Sequence, residues 1–128
     1  RWYEAQQERY RQATRDIISR GREVDDAEFN DLRQSCIDLR TTLETAMQTY
    51  DIDAWICPAT TGEAPLGLES TGSPLMNLPW THSGLPAITL PAGRGPAGLP
   101  LGLQLTGGFM ADEALLALAG QAAAALPI

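Results

Sequence analysis

A chain of 128 residues has the length of one modest domain, and a compact fold of that size buries about two-thirds of the surface its unfolded form exposes. Its 16 acidic and 9 basic residues leave a formal charge of −7, a field that repels phosphate backbones and anionic lipid and argues against nucleic-acid or membrane partners. Every basic residue is arginine and none is lysine; an arginine stays protonated at working pH, so these residues alone cannot run a mechanism that needs a neutral amine as base.

Composition changes sharply along the chain. Residues 1–53 hold eight of the nine arginines and twelve of the sixteen acids, with one glycine and no proline, whereas residues 55–108 hold ten glycines and eight prolines. The first part predicts helices; the second predicts strands and loops, with a last helix after it. The organisation expected is therefore a single domain over 1–128, with a helical part at 1–53 and a strand and loop part with a terminal helix at 54–128.

The opening stretch "RWYEAQQERYRQ" lacks an initiating methionine and enters helical periodicity at once, as a piece of a longer polypeptide would. Tyr3, Tyr10, Ala13 and Ile17 fall on one stripe of a first helix, which Gly21 is placed to end in a left-handed cap. Asp25 and Glu28 then stand at capping-box spacing, with Val24 and Phe29 at the staple positions. Phe29, Leu32, Cys36, Leu39, Leu43, Ala46 and Tyr50 recur at alternating steps of three and four, predicting an amphipathic helix of about six turns. Core packing explains this stripe better than a coiled coil, because Cys36 and Ala46 leave the seam uneven.

Next, "DAWICP" predicts a short strand buried on both faces. "PAITLP", residues 86–91, and "LGLQLT", residues 101–106, predict two further strands, the second with Leu101, Leu103 and Leu105 on one face. The glycine-rich "AGRGPAGLP" between them is too short for a parallel crossover and suits a hairpin. Asp112 is placed to cap an Ala/Leu-rich helix halted by Pro127, so apolar around its circumference that it needs cover on more than one side. Residues 61–74 read as a surface loop.

No cofactor motif emerges. "GRGPAG" lacks the Lys-Ser/Thr of a phosphate loop, and one histidine with two isolated cysteines cannot assemble a metal site. Cys36 and Cys57 read as reduced, buried thiols of a cytoplasmic protein, and no apolar run approaches the roughly 20 residues of a membrane span. His82 and Ser83 are adjacent, so in extended chain they point apart, and no acid is placed to orient the ring. Trp80, in a proline-flanked loop, either plugs the core or walls a pocket. Gln104, on an otherwise apolar strand, is expected to bond neighbouring backbone.

Four features in order carry a resemblance: "DAWICPAT", "MNLPWTHSGLPAITLPAG", "GLPLGLQLTGG" and the acidic start of "DEALLALAG". Each is weak alone; in this order and spacing they resemble the C-terminal part of the amidase signature family over about residues 22–126. The resemblance implies an α/β fold, the C-terminal part of an α/β/α sandwich with a mixed sheet, here with an N-terminal arm of two helices and a C-terminal helix. It further implies hydrolysis of amide C–N bonds by a serine nucleophile, a second serine in a cis peptide and a lysine base, with backbone N–H groups holding the oxyanion.

That machinery is upstream in such enzymes, and this chain has no lysine and no two adjacent serines. No catalytic residue carries over. What carries over is a pocket role for Pro58, Ala59 and Thr60, beyond the carboxyl end of a strand, and for Asn77, Trp80, Thr81 and His82 in the following loop. The implied partners are a small-molecule amide substrate in the complete enzyme and the upstream catalytic portion of the same protein. A sheet that lacks its neighbours also predicts self-association into a homo-oligomer. Two other readings stand beside this one: a non-catalytic binding or assembly module, and part of an amidotransferase subunit of the same family.

Overall fold

The computed structural model describes residues 2–126, so the helix-stopping role expected of Pro127 lies outside the described residues. The chain forms two compact units, one ending at Ser35 and one starting at Cys36.

In the first unit the expected single helix is broken. Helix α1 (Trp2–Ala5) is followed by a 3-10 turn over Gln7–Arg9 and then by α2 (Gln12–Gly21). Tyr10 and Arg11 are extended between them. The polar run from Gln6 to Gln12 brings almost no apolar surface, and a helix without a packed face is marginal at this length. Ala13 and Ile17 of the expected stripe are accordingly exposed. Tyr3 and Tyr10 do meet, edge to face with centroids 5.3 Å apart, and the Arg22 guanidinium lies 5.4 Å from the centroid of the Tyr3 ring. Gly21 is not a left-handed cap. It sits within α2, and Arg22 after it is right-handed, its N–H shared between the carbonyls of Ser19 and Arg20 in a tightened last turn.

Helix α3 (Asp26–Tyr50) begins as expected, with the Asp25 carboxylate accepting the Glu28 N–H at 2.8 Å. Its apolar stripe is only partly covered: Leu39, Leu43 and Ala46 are half-buried, while Phe29, Leu32 and Tyr50 are exposed. Met47, one position off the stripe, is the buried residue of this helix.

The second unit is built on a three-stranded sheet in the order β1-β3-β2. The strands are β1 (Trp55–Pro58), β2 (Ala87–Arg94) and β3 (Pro100–Thr106). Both ladders are antiparallel, with Ile56 and Ile88 on either side of Leu105. β2 and β3 form the expected hairpin, longer than the apolar runs alone indicate and irregular between Pro91 and Arg94. Helix α5 (Asp112–Ala125) lies over β2 and β3. Leu90, Leu105, Leu115 and Ala119 make the core there, with Ile88 and Leu103 packed against it.

This placement corrects two expectations. β1 is not buried on both faces: it alternates, and Ile56 is 69% exposed although it shares a face with Leu105 and Ile88. β1 is an edge strand, and α5 covers the other two strands. α5 itself buries one stripe, leaving Leu116 exposed. Its N-cap is Ala111, with Asp112 and Glu113 in the first turn, where their charge complements the helix dipole without a side-chain cap.

Candidate functional site

Residues 77–82, read as a loop, contain a helix. α4 (Leu78–Ser83) has a proline in its first turn, where the missing N–H costs nothing, and ends at Gly84, whose φ of 70° a side chain disfavours. The N–H groups of Gly84 and Leu85 both reach the Trp80 carbonyl, at 2.9 and 3.2 Å. Asn77, Trp80, Thr81 and His82 therefore stand on, or at the start of, one six-residue helix.

Pro58 ends β1, and Ala59 and Thr60 continue from it. The Ala59 N–H donates to the Gly102 carbonyl at 2.9 Å, extending the ladder one residue past the strand. Thr60 turns away, its hydroxyl donating to the Gly62 carbonyl at 2.6 Å. The two groups of residues meet at one point: Asn77 Nδ2 donates to the Ala59 carbonyl at 3.4 Å. Trp80 is half-buried with its indole N–H enclosed and unpaired, and Pro58, Thr60, Thr81 and His82 are exposed. Thr60 lines a cavity of about 180 Å³ with Glu63, Thr71 and Ser73; the α4 residues do not line it.

His82 and Ser83 do not act as a pair. Ser83 is fully buried, and its hydroxyl lies 2.8 Å from the Pro79 carbonyl and 3.3 Å from that of Trp80. His82 Nδ1 lies 3.5 Å from Cys36 Sγ on α3, a contact across 46 positions that no local spacing announces. Gln104 departs from expectation too. It is buried, and its Nε2 lies 3.8 Å from Cys57 Sγ, its cross-strand partner, rather than on backbone.

Three charged residues that sequence reasoning missed hold this region. Glu63 accepts the N–H groups of Ala97 and Leu99 at 2.9 to 3.1 Å, pinning the 61–74 loop to the hairpin turn. Arg40 Nε donates to the Ser83 carbonyl at 2.7 Å, and Glu44 accepts the Phe109 N–H at 3.1 Å. A signal for the last two existed: each directly follows a stripe leucine, Leu39 and Leu43, so both flank the apolar face one turn apart. The one buried hydroxyl on α4, that of Ser83, is committed to helix carbonyls and so is not placed to attack a substrate.

The pattern shared by the amidase family matches residues 3–116. The chain belongs to the amidase family. Among amidase-family proteins, it is 37% identical over 75 residues to a glutamyl-tRNA(Gln) amidotransferase subunit of Picosynechococcus sp., an alignment covering 53% of this chain and 16% of that protein. It is similar to a crystal structure of an amidase, with a TM-score of 0.82 and 27% identity, over 98% of this chain and 31% of the other. A second solved relative is 6-aminohexanoate cyclic dimer hydrolase, with a TM-score of 0.61 and 26% identity over 88% of this chain and 27% of the other. The chain thus spans about a sixth of the length of the amidotransferase protein it matches and under a third of the amidase.

Proposed function

We propose that these residues are the C-terminal segment of a single amidase-signature domain that hydrolyses amide C–N bonds, supplying sheet strands, flanking helices and one wall of the substrate pocket but no reacting group. The order of the four quoted motifs in a chain without lysine or paired serines carries this reading. The serine pair and the lysine base reside in the upstream portion, which is the first partner of this segment. Pro58, Ala59 and Thr60 with Asn77, Trp80, Thr81 and His82 form the wall against the small-molecule amide. The Asn77 bond to Ala59 supports treating them as one surface. A cytoplasmic setting fits Cys36 and Cys57, neither of which is in a disulfide; among the described residues, no helix is long and apolar enough to cross a membrane.

The test is ammonia release from acetamide and benzamide. The 128 residues alone are expected to release none, and the natural protein containing them to turn over at least one. Turnover by the short form overturns the assignment. The outer edge of β1 and the exposed side of α5 also predict that the short form self-associates; a cooperative, monomeric melt counts against it. A second reading, part of an amidotransferase subunit, is favoured by the Picosynechococcus relative; ammonia transfer to an acceptor instead of water distinguishes it.

A further inference from the structure

A helix of six residues such as α4 cannot hold its own position, because nucleation is unfavourable and its length gives few internal bonds. Contacts with other elements must do so: the His82 contact with Cys36 on α3 and a tether at each end. At the start, Asn77 reaches the Ala59 carbonyl. At the finish, the Ser83 carbonyl, one of the last of the helix, accepts the charged Nε–H of Arg40 at 2.7 Å, the stronger kind of hydrogen bond. The same guanidinium is itself fixed: its central carbon lies 3.6 Å from the centroid of the Phe109 ring, a stacked placement that a lysine ammonium does not reproduce. Glu44, one turn along α3, accepts the N–H of Phe109 and so braces the ring on which Arg40 rests. A Cβ at Gly84 would stand 3.1 Å from Arg40 Nη2, so the turn after α4 leaves little room beside the guanidinium for a side chain.

We propose that Arg40, braced by Glu44 through Phe109, is a positioning residue that sets how Trp80, Thr81 and His82 face the acyl portion of an amide substrate. The proposal rests on the pocket reading given above. Ser83 precedes β2 and Phe109 follows β3, so both contacts lie at the open end of the hairpin, where Ala87 pairs with Thr106. One turn of α3 therefore references the pocket wall to the two strands that carry the core.

The experiment uses the natural protein, with acetamide and benzamide as probes and Arg40→Gln and Arg40→Lys as variants. Arg40→Gln is expected to raise KM for benzamide about tenfold with kcat within about twofold, the size of one lost charged contact acting through binding. Acetamide, which lacks the ring that would meet the wall under this proposal, is expected to change less than about threefold. Arg40→Lys shifts in the same direction by a smaller factor, and it carries the test if Arg40→Gln fails to accumulate. Hydrogen exchange is the second readout: the Gly84 and Leu85 amides speed up, and those within β3 do not. A kcat loss equal for both amides with KM unchanged overturns the positioning role, as does unchanged exchange at Gly84 and Leu85. If the unmodified protein releases ammonia from neither amide, the pocket reading fails instead, and exchange still decides whether Arg40 holds α4. Gly120→Ala, at an exposed helix position with nothing within 4 Å, is the control that leaves both constants unchanged.

Discussion

The side-chain amide of Asn77 donates to the backbone carbonyl of Ala59 across 3.4 Å, joining the start of α4 to the chain just beyond β1. Replacing it with alanine removes a part-buried bond and is expected to cost about 1 kcal/mol. Asn77→Asp should cost more at neutral pH, since a carboxylate has no proton to give and faces the carbonyl oxygen. Denaturant midpoints of the two variants, compared at an unchanged m-value, check the order.

Gly102 sits where its neighbours leave no space. A Cβ there would lie 2.5 Å from Thr89 Cγ2 and 3.0 Å from the Ala59 Cβ. Gly102→Ala is therefore expected to destabilise by about 1–3 kcal/mol through overpacking. Thr89→Ser removes the offending methyl, so the double variant should recover part of that loss. A double-mutant cycle by thermal or denaturant unfolding measures the coupling, and strict additivity would speak against this steric account.

Glu63 accepts from two backbone N–H groups, those of Ala97 and Leu99, within the turn of the hairpin. Glu63→Ala leaves the turn without its clasp. Exchange of the Ala97 and Leu99 amides should accelerate by about tenfold, with the amides of β3 near Leu105 unaffected. Equal acceleration in both places would mean that the hairpin itself has come loose.

Leu115 is buried between α5 and the sheet, 5% exposed, whereas Leu116 beside it is exposed. Truncation to alanine is expected to cost about 2–5 kcal/mol at Leu115 and within about 0.5 kcal/mol at Leu116. A comparable loss at Leu116 would indicate that this side of α5 is covered in the protein tested.

Much of the sheet was legible because its cues are local: the leucine-rich run over residues 101–106 and a glycine-rich link of hairpin length mark β3 and its hairpin with β2, although β3, the central strand, buries Gln104, Leu105 and Thr106 in succession instead of alternating. Helix α3 was legible for the same reason, since its cap and its three-four rhythm lie within one segment. The failures share a different cause. The first helix looked continuous because periodicity counts apolar positions without asking whether a surface exists to bury them. β1 looked doubly buried because an apolar run does not reveal which strand stands at the edge. α4 hid behind two prolines, although Pro79 in its first turn and Gly84 after its end are helix punctuation when taken together. The pairings of His82 with Cys36 and of Arg40 with Ser83 span more than forty positions, a separation that only the folded chain supplies.

The strand order β1-β3-β2 places the last strand to be synthesised in the middle. Neither outer strand can form its ladder with β3 until residues 100–106 have left the ribosome, so the β1–β3 pairing must wait through more than forty residues of growing chain. A stop codon ahead of Pro100 would deprive both ladders at once, whereas loss of β1 alone would spare the hairpin.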